Sequence, residues 1–353
     1  MSVPLLLRHE SAAELRCFLA GFLRGGWGQK GAVVASGHDR SLPRALGFRQ
    51  SGHTGTLGNS ALRVDGMLAM PARFFGVVAV LVSCAALGQP SIVPQTVDIP
   101  SGALHLKAYL WVPPGPGRFP AVLFNHGRSD SAQYHWREGN LTLAGAARAI
   151  GRVFARHGYV LLFPFRRGEG PSADQGDFIG DLLEREESTK GIEATKHLQV
   201  ILLGTDQLED GLAGLAFLKR LPKVDHQRIA VIGHSFGGQL TLLEAARDHT
   251  VRVAVTFGVA AASWSGSAEI RTRLLEAVDR ITVPLLLIHT ANDYSVAPGQ
   301  AIASELARLS KPYALKIYPP VGKSSTEGHN FLYSNVSLWE TDVFQFIGEN
   351  MRP

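Results

Sequence analysis

The chain has 353 residues, 45% hydrophobic and 18% charged, with five more basic than acidic side chains. This composition excludes a collagen-like or fully disordered chain and supplies enough apolar surface for one large core. The positive excess is no argument for a nucleic-acid partner: residues 1–84 hold nine Lys and Arg against four Asp and Glu, leaving 26 of each in the remainder.

Both cysteines, Cys17 and Cys84, lie in that leading part, so the remainder has no internal disulfide, thiolate nucleophile or cysteine-held zinc. Residues 25–60 are rich in Gly, Ser, His and Arg without a sustained hydrophobic period. Residues 12–23 place Leu15, Phe18, Leu19, Phe22 and Leu23 on one face of a short helix, marginal by itself. Residues 1–66 therefore read as a disordered tail or an extension upstream of the true start. Residues 67–88 have the layout of an export signal: Met67, the charge of Arg73, the apolar stretch from Phe74 to Val82, then small residues. The stretch is short for a membrane span. Cleavage is expected near Ala86-Leu87-Gly88, or else at Leu81-Val82-Ser83-Cys84, which resembles a bacterial lipobox and would anchor Cys84 through lipid. Export to the periplasm, the medium or the envelope follows as the expectation, with that anchor as the only membrane contact.

From residue 91 to 352 strands and helices alternate. Strands near 92–99 and 103–113, divided by Pro100-Ser101-Gly102, suggest an antiparallel hairpin. The apolar run Ala121-Val122-Leu123-Phe124 reads as a buried strand, followed by a helix near 143–157 and a strand at 159–163. Residues 166–203, charged and rich in glycine, look like an insertion over one end of the sheet that could form a lid. Asp206-x-x-Glu209 suggests a capping box opening a helix with Leu212, Leu215, Ala216 and Phe217 inward. Further strands are expected at 228–232, 252–257, 284–289 and 314–318, with helices near 298–309 and 337–350. The pattern predicts an α/β domain with a mostly parallel twisted sheet of about eight strands and helices on both faces.

Gly233-His234-Ser235-Phe236-Gly237 lies between the apolar run ending at Ile232 and a helical run from Gly238. A strand that must turn at once into a helix needs glycines where a Cβ would meet neighbouring backbone, and it holds the serine out at the helix N-terminus. A serine hydroxyl needs a base, and the base needs a carboxylate to orient it. Asp293 follows the strand 284–289, and His329 follows the strand 314–318, so Ser235, Asp293 and His329 stand in the required order. Glu327 is a weaker rival for the acid; His289 is expected to point into packing and His234 to pack beside the serine. The oxyanion donors are expected to be the backbone amides of Phe236 and, after Asn125-His126-Gly127, of Arg128. Tyr134 and Trp136, Trp264, and Phe331 with Tyr333 are candidate pocket walls, with core packing the plainer role. Arg128, Arg166 and Arg167 suit a substrate carboxylate, or else simply ion pairs. No metal or organic cofactor is called for, since no close ligand spacing occurs.

Asn125-His126-Gly127, Gly233 to Gly238, Asn292-Asp293, Gly328-His329 and the segment 210–233 make residues ~91–352 resemble the α/β-hydrolase superfamily, within it the dienelactone hydrolase-like and prolyl-oligopeptidase-like branch. The resemblance implies an α/β-hydrolase fold and a serine carboxylic-ester hydrolase working through an acyl-enzyme on a small ester. Dienelactone hydrolases proper carry a cysteine nucleophile, and this chain has Ser235 instead. A small serine peptidase or amidase is the alternative the branch implies.

Overall fold

The computed structural model describes residues 93–129 and 142–352. The expected export signal, Cys84, Tyr134 and Trp136 lie outside them. Eight strands form one sheet: β1 (Gln95–Ser101), β2 (Leu104–Trp111), β3 (Phe119–Asn125), β4 (Val160–Pro164), β5 (Val224–His234), β6 (Val253–Phe257), β7 (Leu285–Thr290) and β8 (Tyr313–Tyr318). Their order is β1-β2-β4-β3-β5-β6-β7-β8. The pairs β1–β2 and β2–β4 are antiparallel and all others parallel.

The inner strands carry continuous apolar runs where helices cover both their faces, in β5 from Ile229 to Ile232. Leu123, Leu162, Val231, Ala254 and Leu287 face one core, and Val122, Leu161, Ile232, Val255 and Leu286 the other. The second core is closed by α1 (Leu143–Arg156) through Ile150 and Phe154, and by the C-terminal helix Val336–Asn350 through Trp339, Val343 and Ile347. The first is closed by α2 (Ile179–Lys190), α3 (Ile192–Gly204), α4 (Asp206–Arg220), α5 (Phe236–Arg247), α6 (Ala268–Arg280) and α7 (Ala297–Arg308).

Several local expectations are corrected. Pro100 and Ser101 belong to β1, pairing with His105 and Leu104, and the turn falls on Gly102-Ala103, where Gly102 has φ +56. Proline is tolerated there because β1 is an edge strand. No capping box forms at Asp206-x-x-Glu209: Thr205 is the N-cap without a side-chain cap, its hydroxyl bonds Ile201 O, and Asp206 pairs with Arg167. The buried face of α4 is Leu208, Gly211, Gly214, Leu215 and Leu218, with Leu212 and Phe217 partly buried against the same core, while Ala216 is exposed. The glycines decide this. A Cβ on Gly214 would lie 3.0 Å from Pro164, and one on Gly211 2.1 Å from Glu244, so the helix approaches the sheet on its smallest residues.

The segment 166–203 is no loose cover. Arg166, Glu169 and Ser172 are buried, and Leu183, Leu202 and Leu203 join the first core. Helix α6, not anticipated, buries only Ile270, Leu274, Ala277 and Val278 of its thirteen residues. His329, expected on a loop, ends a short helix, α8 (Ser325–His329), which precedes α9 (Phe331–Ser334) and α10 (Val336–Asn350).

Candidate active site

Strand β5 ends at His234 and α5 begins at Phe236, leaving Ser235 alone in the joint with φ 56 and ψ −116. A non-glycine residue in the left-handed region costs about 1–3 kcal/mol and persists only where its surroundings hold it. Here a Cβ on Gly233 would lie 2.2 Å from Gly237 O, and one on Gly237 2.1 Å from Asn125 O, so both flanks must be glycine. Ser235 N donates to Phe257 O at 2.8 Å, extending the β5–β6 ladder by one residue. The side chain, half-buried, stands at the N-terminus of α5, where unpaired amides favour developing negative charge.

Asp293 lies three residues past β7, its amide bonded to Thr290 O. Asn292 ties this turn to the segment bearing His329: its Nδ2 donates to Val321 O and Ser324 O, and its Oδ1 accepts from Val321 N. Helix α8 starts with a capping box between Ser324 and Glu327, which occupies the Glu327 carboxylate with Lys323 and Ser324. His329 Nδ1 then lies 2.6 Å from Asp293 Oδ1, with both residues buried. Both histidine and acid pack on Gly258: a Cβ there would lie 2.9 Å from His329 Nδ1 and 3.1 Å from Asp293 Oδ2. Gly258 directly follows Phe257, whose carbonyl holds Ser235 N, so the serine is one residue removed from the histidine's bed.

His289 differs from its expected role. It is fully buried, but its Nδ1 donates to Asp293 Oδ2 at 2.8 Å. Its Nε2 finds no partner among the described residues, which assigns the proton to Nδ1. Asp293 thus accepts from two imidazoles and from Tyr294 N. Burial pushes its carboxyl up, but the hydrogen bonds from His289 and His329 outweigh this and hold it far below the ordinary range. His234 packs beside the serine as expected. Its Nε2 donates to His329 O at 3.0 Å, and Tyr333 reaches its Nδ1 at 3.3 Å. Burial holds its imidazole well below the usual value, so it stays neutral.

The second loop leaves β3 at Asn125-His126-Gly127. A Cβ on Gly127 would lie 3.4 Å from Ser235 Cβ, so this loop and the elbow touch, with Arg128 next in the chain and exposed. Arg166 and Arg167 are ion-paired, the first with Glu169 and the second with Asp206 and Asp210, and the first is buried. Trp264 is 8% exposed and belongs to the first apolar core; Phe331 and Tyr333 are buried in the second. Sequence reasoning missed the partner of His289 and the parts of Glu169 and Glu244 around the second loop, and it offered Arg166 only as a substrate contact or an ion pair. Their partners lie 39 or more residues away, except for the Arg166–Glu169 and His289–Asp293 pairs, whose offsets of three and four are unremarkable in sequence.

Asn125 Nδ2 donates to Glu244 Oε2 at 2.6 Å, which anchors β3's end to α5. Burial pushes the Glu244 carboxyl from an ordinary 4.5 up to about 8, against the Asn125 hydrogen bond and the Arg166 charge. Between these two values the folded state keeps a proton that the unfolded chain has lost. Stability therefore declines as pH rises through that window, by up to ~1.4 kcal/mol per pH unit, and levels off above it. Urea midpoints from pH 5 to 9 should fall less steeply in Glu244→Gln than in the parent; parallel profiles would contradict a protonated Glu244.

The model of the dienelactone hydrolase family matches residues 140–336, more than half of the chain. A Synechocystis sp. protein provisionally named carboxymethylenebutenolidase is 25% identical over 227 residues, covering 63% of this chain and 82% of that protein. Among solved structures, acylaminoacyl peptidase from Pyrococcus horikoshii superposes with a TM-score of 0.53 at 16% identity, over 74% of this chain and 42% of the peptidase. Dipeptidyl peptidase 4 from Porphyromonas gingivalis does so with a TM-score of 0.50 at 19% identity, over 73% and 36%. This chain thus matches less than half the length of either peptidase, and at such identities the likeness speaks for the fold alone. The eight-stranded sheet, the elbow and the family match agree: this is a hydrolase of the α/β-hydrolase fold, and the chain belongs to the dienelactone hydrolase family.

Proposed function

We propose that the chain is a serine-dependent carboxylic-ester hydrolase working through an acyl-enzyme. The observation that carries this reading is the strained Ser235 at the head of α5, one residue from the bed of a buried His329–Asp293 pair. In the proposed reaction Ser235 Oγ attacks the ester carbonyl carbon while His329 Nε2 takes the hydroxyl proton. Asp293 keeps the other imidazole proton on Nδ1 and stabilises the imidazolium that forms. The negative charge on the former carbonyl oxygen is met by the amides of Phe236 and Arg128. Collapse breaks the bond to the alkoxy oxygen, which leaves as an alcohol with the proton from His329. Water, deprotonated by His329, then attacks the acyl carbon; the bond from that carbon to Ser235 Oγ breaks as His329 returns the proton to Oγ, releasing the carboxylic acid and regenerating Ser235. Export through residues 67–88 belongs to this proposal too, and the mass of the mature protein tests it.

The test is to incubate the full chain with p-nitrophenyl esters of increasing acyl length, with matched p-nitroanilides, and with a fluorophosphonate. Expected are turnover of the short esters above the anilides, and a single adduct on Ser235. Preferential anilide turnover would replace the esterase by an amidase. Folded protein with Ser235 unlabelled and neither substrate cleaved would overturn the serine reading.

A further inference from the structure

Arg166 is 2% exposed and stands outside the groups that the proposed reaction uses. It lies two residues past β4, and its guanidinium reaches under the loop leaving β3. Nη1 donates to His126 O at 2.8 Å and Nη2 to Gly127 O at 3.1 Å. Nε donates to Gln207 Oε1 at 3.0 Å, and Nη2 also meets Glu169 Oε1 at 3.1 Å. Glu169 in turn accepts from Ser129 Oγ at 3.0 Å, one residue beyond Arg128. The guanidinium carbon lies 5.5 Å from the centre of the Phe236 ring.

Gly127 O and Arg128 N–H belong to one peptide group. No cis peptide bond occurs among the described residues, so this peptide is trans and its N–H points opposite to its C=O. His126 Nδ1 lies 2.7 Å from the same carbonyl oxygen, so a cation and an imidazole N–H hold it together. A carbonyl pinned from behind fixes where its N–H points, and drawing electron density to the oxygen strengthens that N–H as a donor. A hole built in advance spares the reaction the cost of turning dipoles toward the charge as it develops.

We infer that Arg166 is the positioning residue of the oxyanion hole, aiming the Arg128 amide through Gly127 O while its guanidinium backs the ring of Phe236, which bears the other donor. The inference rests on the serine-hydrolase reading above. Gln207 and Glu169 hold the guanidinium itself, one by a hydrogen bond and one by charge. A lysine keeps the charge but has a single ammonium, which cannot serve His126 O, Gly127 O and Gln207 together.

The test compares the full chain with Arg166→Lys on a p-nitrophenyl ester and on its thiono analogue, whose carbonyl oxygen is sulfur. Loss of one oxyanion donor costs about 10²–10³ in kcat. Arg166→Lys should lose about that much kcat on the oxygen ester with KM changed by less than ~3-fold, because the hole acts on the transition state. Its preference for oxygen over sulfur should fall by about 10-fold or more, a ratio that a general loss of folded protein leaves unchanged. If Arg166→Lys does not fold, Gln207→Leu, which loosens the guanidinium and keeps its ion pair, is read by the same ratio. A folded variant with the parent's kcat and the parent's ratio overturns the inference. A parent that neither cleaves esters nor takes the fluorophosphonate overturns the serine reading instead.

Discussion

Ser235→Ala is expected to lower kcat on a short p-nitrophenyl ester by about 10⁴–10⁶, with the fold intact. The alanine keeps the Cβ that the joint already accommodates at φ 56, and Ser235 N keeps its bond to Phe257 O. His329, Asp293 and the amides at the head of α5 stay where they are, so a residual acceleration over water survives. Stopped-time assays at high enzyme concentration, beside a denaturant melt of the same preparation, check both halves. A variant retaining a tenth of the activity would place the nucleophile elsewhere.

Asp293→Asn is expected to cost about 10⁴ in kcat, and its effect on stability distinguishes it from the serine variant. The carboxylate accepts from His329 Nδ1, His289 Nδ1 and Tyr294 N. An asparagine offers one acceptor oxygen and one NH₂ group, so one imidazole must face a donor. If that imidazole is His329, it takes the wrong tautomer for a base. If it is His289, the proton must move to Nε2, which is buried without a partner among the described residues. Leaving such a group unsatisfied costs about 1–3 kcal/mol. The Asp293 carboxyl is held below its ordinary 3.8, so its contribution to stability is complete above that value and is lost as pH falls through the folded value. Urea midpoints of parent and variant should therefore differ most at neutral pH and converge below pH ~3. A difference unchanged from pH 7 to pH 3 would contradict the ionised, twice-bonded carboxylate.

The elements of this domain were legible where burial leaves a period-independent mark. Strands β3, β4, β6 and β7, and β5 from Ile229 to Ile232, are covered on both faces and read as apolar runs, so their number and order of appearance follow from composition. The elbow was legible because steric demand at Gly233 and Gly237 is local, set by backbone within a few ångströms. Chain order then singled out Asp293 and His329, which the fold brings to 2.6 Å.

Other features depend on distance through space, and no local pattern encodes them. Helix α4 turns its glycines inward because the sheet and Glu244 leave no room for side chains, and a periodicity argument scores glycine as neutral at best. Helix α6 buries four residues, too few to announce a helix against its charged ones. The charged stretch after β4 reads as an insertion laid over the end of the sheet, but Arg166 and Glu169 neutralise each other in the interior and need the loop from β3 to complete their hydrogen bonds. A strand histidine such as His289 looks the same in sequence whether it packs or bonds. Sequence by itself determined the sheet, the elbow and the order along the chain of Ser235, Asp293 and His329, because each rests on contacts short in chain or on burial alone. Only the tertiary structure decided which buried polar groups brace them, since pairing a buried charge or proton donor requires partners that the chain brings together only after folding.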